Sequence, residues 1–371
     1  MDAMHALKPE AFIVRPAVPA DVPALVPVIA KVDEETEFLG KPGEYERLWA
    51  PGLGERLATM GEKGTGAYVI AEAGGAIVGF LGAFAGPFQR TRGIVYISHV
   101  GVRAAWRGRG LGSALFAAIE DWARGQGAWR LDLRVDTANA RAIALYQKHG
   151  FAVEGRVVDG ALRDGVWCDH FVMAKALRVL SEPAWEPLEL TPSGEGAGAP
   201  VSFRRVLAED VARLRAFQLK VTGETPFMLM QPADVLDEAA FAKNLAEGLN
   251  EPGRFDLLAT VAGADGERIV GRAVAEREPS IRMQHNAYAN VNVLRSHWRR
   301  GIGRRLAAAI DAWAREQKLR RLTGLLLAHN TRALRFAAAA GFREELVSPR
   351  YAVIDGRAVD RVRVAKFLSM R

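Results

Sequence analysis

The sequence predicts a mixed α/β protein (an α+β domain built on a mixed sheet), made of two tandem copies of one domain joined by a Pro/Gly-rich linker. Three observations carry this. First, residues 94–102 form a β-branched and apolar run, residues 103–113 are rich in Gly and Arg, and Leu111, Leu115, Ala118, Ile119 and Trp122 then recur at helical spacing. A strand therefore feeds a loop that opens a helix. Second, the pattern returns at a fixed offset of 191 residues: Val102 matches Val293, Gly110 matches Gly301, Gly112 matches Gly303, Trp122 matches Trp313 and Asn139 matches Asn330. Gly150-Phe151 and Asp164-Gly165 return in the same register as Gly341-Phe342 and Asp355-Gly356. Unrelated segments do not hold one register over so many matches, so the chain carries an internal duplication. Third, Pro183, Pro187, Pro192, Gly194, Gly196, Gly198 and Pro200 fall between the copies with few apolar residues, which is linker composition. The expected organisation is a first domain over residues 12–178, a linker over 179–200 and a second domain over 201–371.

Each element follows in order. Residues 1–11 read as a leader, and residues 12–16 as a short strand. Asp21 stands as an N-cap before Val22, Leu25, Val26 and Ile29, which share one helical face. A second helix is expected near residues 43–57. Residues 67–73 and 76–85 alternate or run apolar around Gly74-Gly75, a hairpin signal. Beyond the first helix after the loop, residues 129–135 alternate as a strand and residues 139–149 read as a helix. Gly150 follows at the C-cap position. Residues 151–158 and 166–174 make a closing strand pair. The order is β–α–α–β–β–β–α–β–α–β–β. After the linker the plan restarts: Asp210 repeats Asp21, and Glu224-Thr225 repeats Glu35-Thr36.

Composition narrows the function classes. A length of 371 residues suits two domains, and 49% hydrophobic with 25% charged residues is ordinary globular composition. No apolar run approaches the roughly 18–20 residues of a membrane span, and the first residues lack a basic region followed by an apolar one. Cys168 is the sole cysteine, which excludes an intrachain disulfide and a cysteine metal cluster. A cytoplasmic protein with no membrane partner and no metal is expected. The formal charge of +7 is scattered through both halves and concentrates only in the two Gly/Arg loops. A phosphorylated cofactor accounts for that better than a polynucleotide.

The loop has the chemistry of an anion cradle. Glycines let backbone approach a ligand closely. The first amides of the following helix lack internal acceptors and carry the positive end of its dipole. Arg107 and Arg109 add fixed charge. The run Arg107-x-x-Gly110-x-Gly112 resembles the acyl-CoA pyrophosphate loop of the GNAT N-acetyltransferase superfamily, R/Q-x-x-G-x-G/A, and the element order is similar to that superfamily's. It matches neither a P-loop nor a dinucleotide fingerprint.

The resemblance implies that acetyl-CoA is the cosubstrate and that an amine attacks its thioester directly. It implies that the fourth and fifth strands splay apart, with the pantetheine arm between them. A strand-four amide then polarises the acetyl carbonyl, a base deprotonates the amine, and a tyrosine protonates the thiolate. Carried onto this chain, Arg107, Gly108, Arg109, Gly110, Gly112 and Ser113 would hold the pyrophosphate. Val100 and Val102 would offer backbone groups. Asn139 would contact the cofactor, and Tyr146, two helical turns after it, would be the acid. Two residues are candidates for the base, with a water relay as the third possibility. His99 lies on strand four, where alternation puts it opposite Tyr96 and Ser98 unless a bulge intervenes. Glu35 lies at the mouth expected to receive substrate. Asp169-His170 reads as strand stabilisation.

In the second copy Trp298 replaces Arg107 and Ala337 replaces Tyr146, while Gly301, Gly303, Arg299 and Arg300 remain. A cofactor can still bind there, more weakly for want of the loop arginine, but the copy is catalytically degenerate or divergent. The expected function is therefore acetyl transfer from acetyl-CoA to a primary amine of a small molecule or peptide, in the first domain. Alternatives are a mycothiol-synthase-like acyltransferase, in which the second domain is the active one, and a non-catalytic acyl-CoA-binding regulatory protein. A nucleic-acid-binding protein would need a continuous basic face with interleaved aromatics, and the sequence shows none. Neither the acceptor nor the oligomeric state is written in the sequence.

Overall fold

The structure, a computed structural model, describes residues 11–41, 43–180, 190–193, 200–263 and 266–368. The expected leader, and Pro183, Pro187, Gly194, Gly196 and Gly198 of the expected linker, lie outside the described residues. The chain divides into two compact units, residues 1–87 with 91–179 and 280–282, and residues 88–90 with 180–279 and 283–371.

The first unit contains β1 (Ile13–Pro16), α1 (Val22–Glu34), α2 (Glu44–Leu48), α3 (Leu53–Lys63), β2 (Gly66–Ala73), β3 (Ala76–Ala85) and β4 (Ile94–Val102). These are followed by α4 (Leu111–Gly125), β5 (Arg130–Asp136), α5 (Ala140–Lys148), β6 (Ala152–Arg163) and β7 (Val166–Ala176). Its strands are ordered β1-β2-β3-β4-β5-β7-β6. All neighbours are antiparallel except β4 and β5. That parallel pair is registered only from Ile94–Arg130 to Tyr96–Asp132, so the two strands part company beyond Tyr96.

Each face of the sheet has its own core. On one side α4 buries Leu111, Leu115, Phe116 and Ile119 against Leu81, Val95, Ile97 and Leu131. On the other, α1 and α3 bury Leu25, Ile29, Val32, Leu53 and Leu57 against Tyr68, Ile70 and Phe80. The helix expected near residues 43–57 is instead two, α2 and α3. Pro51 and Gly52 interrupt it, and Gly52 takes φ of 67° at the cap of α3. Asp21 precedes α1, but its side chain does not cap it. The carboxylate instead accepts two bonds of 2.8 Å from Arg15 on β1 and one of 2.8 Å from the Val18 amide. This bracket ties β1 to the start of α1.

The second unit repeats the plan with β8 (Ser202–Arg205), α6 (Val211–Gly223), α7 (Glu238–Leu249), β9 (Arg254–Gly263), β10 (Gly266–Arg277) and β11 (Asn286–Val293). It closes with α8 (Ile302–Glu316), β12 (Arg321–Leu327), α9 (Thr331–Ala339), β13 (Arg343–Ile354) and β14 (Arg357–Phe367). The strand order, β8-β9-β10-β11-β12-β14-β13, is that of the first unit, and its one parallel pair is again short, Asn286–Arg321 to Tyr288–Thr323. Arg204 grips Asp210 at 2.7 and 2.8 Å, as Arg15 grips Asp21.

One correction to the constant offset matters. Between β3 and β4 the register breaks: Ala83 faces Ile97 and Gly82 faces His99, so Ser98 has no partner. This is a β-bulge. Between β10 and β11 the ladder runs unbroken from Ala287 to Val293. Strand β4 thus carries one residue more than β11, and Tyr96 corresponds to Tyr288 at an offset of 192.

The Arg–Asp brackets give the fold an acid limit. Hydrogen bonds from Arg15 and Arg204, against the opposing effect of burial, hold Asp21 and Asp210 below the usual carboxylate range. A depressed folded-state value adds stability that is complete above the ordinary aspartate pKa of about 3.9. That stability is lost as pH falls through the folded value. Asp210 is fully buried, so Asp210→Asn should cost the second unit about 3 kcal/mol near neutrality and flatten this acid loss. Urea unfolding followed by circular dichroism between pH 7 and pH 2 measures both.

Candidate active site

The loop between β4 and α4 has the shape expected of an anion cradle. Gly108 and Gly110 take φ of 81° and 88°, and a side chain built at either would meet nothing within 4 Å. Gly110 caps α4 without a side chain, and the first internal bond of the helix is Ala114 N–H to Gly110 C=O at 3.0 Å. The amides of Leu111, Gly112 and Ser113 therefore have no acceptor within the helix. Gly112 has a second duty: a Cβ there would lie 3.0 Å from Leu145 Cδ2, so its bareness sets the approach of α5. Arg109 lies with its guanidinium 4.7 Å above the Trp106 ring.

Two expected roles change in the structure. Arg107 does not reach out toward an anion. Its Nε donates to the Val102 carbonyl at 2.9 Å, and its guanidinium stands 3.5 Å from the Glu35 carboxylate. Arg107 shapes the loop. Glu35, expected as a base at the substrate mouth, is the other half of that brace. It accepts from Arg103 Nε at 3.0 Å and from the Ala104 amide at 2.5 Å. Burial works to raise its pKa, but those hydrogen bonds and the charges of Arg103 and Arg107 prevail and hold it below the ordinary value. A carboxylate so engaged and so acidic is a poor proton acceptor.

The remaining residues lie on β4 and on the helix that follows β5. Val100 and Val102 pack their side chains toward α4, and the Val102 carbonyl is taken by Arg107. Asn139 caps α5: its Oδ1 accepts from the Ala142 amide at 3.1 Å. Tyr146 sits two helical turns later, its ring 5.3 Å from Phe116 and 6.2 Å from Phe151. Burial first, and then the neighbouring Tyr96, push its phenol up to about 12. Such a group is protonated at neutrality and can donate.

The Ser98 bulge decides the place of His99. It shifts the alternation so that His99 joins Tyr96 on the α1 side, opposite Gly82, rather than pointing toward α4. There the imidazole lies 5.1 Å from the rings of both Tyr45 and Phe80, with Nε2 3.5 Å from Asp33 Oδ1. Asp169 pairs with Arg156 and accepts from the Asp159 amide at 2.8 Å, a contact within the β6–β7 pair.

The second unit keeps the brace but not Tyr146, His99 or Asp33. Trp298 Nε1 donates to the Val293 carbonyl at 2.8 Å, in the place of Arg107 Nε. Glu224 accepts from the Arg295 amide at 2.7 Å, as Glu35 does from Ala104. Arg299 and Gly301 take φ of 63° and 75°, in the places of Gly108 and Gly110. The loop is thus held in shape without the arginine. By contrast Ala337 stands for Tyr146, Asn290 for His99 and Thr222 for Asp33.

The acetyltransferase (GNAT) family model matches residues 33–151 and 230–342, more than half of the chain and once in each unit. The chain belongs to the GNAT acetyltransferase family. As a GNAT protein it is an acyltransferase, and the family carries with it the acyl donor expected of the loop, acetyl-CoA. It is similar to the L-amino acid N-acetyltransferase AaaT of Escherichia coli, 29% identical over 168 residues, 44% of this chain and 97% of that protein. It is 41% identical over 85 residues, 23% of this chain and 51% of the relative, to the N-alpha-acetyltransferase RimI of Mycobacterium tuberculosis. Among solved structures, a GNAT-family acetyltransferase from Streptococcus pneumoniae matches at 30% identity and a TM-score of 0.43, over 45% of this chain and all of that one. No helix among the described residues of this GNAT protein is long and apolar enough to cross a membrane.

Asp33 and the Glu35 brace escaped the sequence reading. A signal for Asp33 was there: it continues the Leu25, Ile29, Val32 stripe of α1, all at most 2% exposed, and a carboxylate on the apolar face of a helix is anomalous.

The cradle makes a direct prediction. Gly110→Asp would set a carboxylate in the open space beside the α4 amides and force a side chain into positive φ, a backbone strain of about 1 kcal/mol. Calorimetry of the full chain should lose one acetyl-CoA binding event with the circular dichroism spectrum unchanged. An unaltered isotherm would remove this loop from the site.

Proposed function

We propose that the first unit transfers the acetyl group of acetyl-CoA to the primary amine of a small molecule or peptide by direct attack. The observation that carries this is Tyr146, a phenol pushed up to about 12 beside a gap in the sheet, on the helix capped by Asn139. The backbone of residues 108–113, with Arg109, holds the pyrophosphate of the donor. The pantetheine arm follows the β5-facing edge of β4 beyond Tyr96, where the parallel pairing ends. Backbone groups left open on that edge are the partners a pseudo-strand requires, and one amide there stabilises the developing oxyanion.

His99 accepts a proton from the amine on the α1 side of the sheet, and Tyr146 returns one to the leaving thiolate on the α4 side. Acid and base on opposite sides of one opening suit a displacement in which the nucleophile enters and the leaving group departs by different routes. The second unit binds without turnover, since Ala337 has no proton to give and Asn290 no basic nitrogen. A mycothiol-type arrangement, with the chemistry in the second domain, is disfavoured by the same two residues.

Tyr146→Phe keeps the ring among Phe116 and Phe151 and deletes the donor. Turnover with acetyl-CoA and a panel of L-amino acids and short peptides should fall by about 10²–10⁴-fold, while acetyl-CoA affinity and thermal stability stay close to wild type. Ala337→Tyr should not create activity in a Tyr146→Phe background, because β11 lacks both the bulge and the histidine. Full turnover by Tyr146→Phe would leave only the binding half of this reading standing.

A further inference from the structure

Asp33 is 2% exposed, and within the described residues its buried Oδ1 has no hydrogen-bond partner meeting normal geometry. Its one charged-pair contact is His99 Nε2 at 3.5 Å. A buried carboxylate oxygen without a donor is costly, and the imidazole is the charge-bearing group recorded beside it. His99 in turn has little choice of orientation. Tyr45 lies at 39° and Phe80 at 75° to its plane, each 5.1 Å away, and the strand bulge fixes where its backbone sits.

Other polar groups stand near the imidazole, and Asp33 also acts electrostatically on Tyr45. The Tyr45 hydroxyl lies 3.2 Å from that of Tyr68, and burial pushes both phenols up, so both are neutral. Arg56 acts on this tyrosine pair electrostatically, and its guanidinium donates to the Pro51 and Trp49 carbonyls. Glu35, two residues beyond Asp33, is turned to the loop. With Nε2–H directed at Asp33, the lone pair of a neutral imidazole lies on Nδ1, and the side chain keeps 14% of its surface open.

The second unit supplies the contrast. The brace that shapes the loop is retained at Glu224, but Thr222 at the place of Asp33 turns its hydroxyl back to the Gln218 carbonyl at 2.8 Å. Asn290 at the place of His99 bonds Asn292 at 2.8 Å. Asp33, His99, the bulge and Tyr146 are lost together, while the cradle stays.

We propose that Asp33 is a positioning residue that fixes His99 in the Nε2–H tautomer, so that Nδ1 accepts the proton of the incoming ammonium. This rests on the acetyl transfer proposed above. One ammonium proton passes to Nδ1 and on to solvent. The amine nitrogen then bonds to the acetyl carbon as the carbon–sulfur bond breaks. The second nitrogen proton is shed as the amide forms and replaces the one that Tyr146 gives to the thiolate.

Nitrogen-15 spectroscopy of the full chain separates the pairing from the activity. The protein has seven histidines, and His99→Gln identifies the resonance of His99. The wild type should show Nε2–H with unprotonated Nδ1, and Asp33→Asn should mix the tautomers. An Nδ1–H tautomer in the wild type, or one unmoved by Asp33→Asn, would overturn the proposal. The wild-type spectrum alone decides should the variant not fold. In turnover assays with acetyl-CoA and L-amino acids, His99→Gln should lower kcat by about 10²–10⁴-fold. Asp33→Asn should lower kcat by less, with the KM for acetyl-CoA unchanged, and should add nothing in a His99→Gln background. Additive losses would show that Asp33 acts otherwise than through His99. A wild-type protein with the expected tautomer but no acetyl transfer to any amine would keep the pairing and overturn its catalytic use, together with the acetyl-transfer reading.

Discussion

Strands β4 and β5 are parallel neighbours for three residue pairs and then separate, and the rest of the first unit is arranged around that separation. A strand that leaves its partner inside a sheet exposes a row of amides and carbonyls, which must be matched by something. One such group is matched by a side chain, the Val102 carbonyl by Arg107 Nε, while α4 covers one face of the sheet and α1 the other, each with its own core. The Arg15–Asp21 bracket fixes α1 against β1, and α1 in turn carries Asp33 to His99 and Glu35 to the loop after β4.

The duplication makes the molecule its own control. Features present in both units, such as the positive φ values of the loop, the glutamate that caps it and the short parallel pairing, are demands of the fold and the cradle. Features of one unit only are free of those demands. The exchange of Arg107 for Trp298 belongs to the first class despite its appearance, because an indole N–H and a guanidinium Nε–H serve one carbonyl equally well. The exchanges at residues 33, 99 and 146 belong to the second, since nothing among the described residues of the second unit takes over their contacts.

Much of this was legible from the amino acids. Strand β4 and its hairpin-bearing neighbours follow from apolar alternation and from Gly74-Gly75, both at positive φ. The loop follows from its glycines, and α5 from Asn139 and Gly150. What was hidden depended on events between segments. A bulge is one unpaired residue in a ladder whose partner strand must be known before the excess is visible, so Ser98 looked like any other strand residue. Glu35 stood among four acidic residues in a five-residue stretch, residues 33–37, and only the fold brings Arg103 and the Ala104 amide to it. The same opacity concealed the inward turn of Arg107, since sequence gives the charge but not the direction of a long side chain.

The bulge at Ser98 also bears on how such a pair of domains diverges. Over the segment that leaves β5, β4 is one residue longer than β11, yet His99 and Asn290 stand opposite corresponding neighbours, Gly82 and Val274. The bulge takes up the extra residue at Ser98, so the facings on either side of it are the same in the two copies. Gain or loss of one codon is therefore absorbed where it falls, and the two copies can differ in length inside a strand while the apolar pattern before and after it is kept.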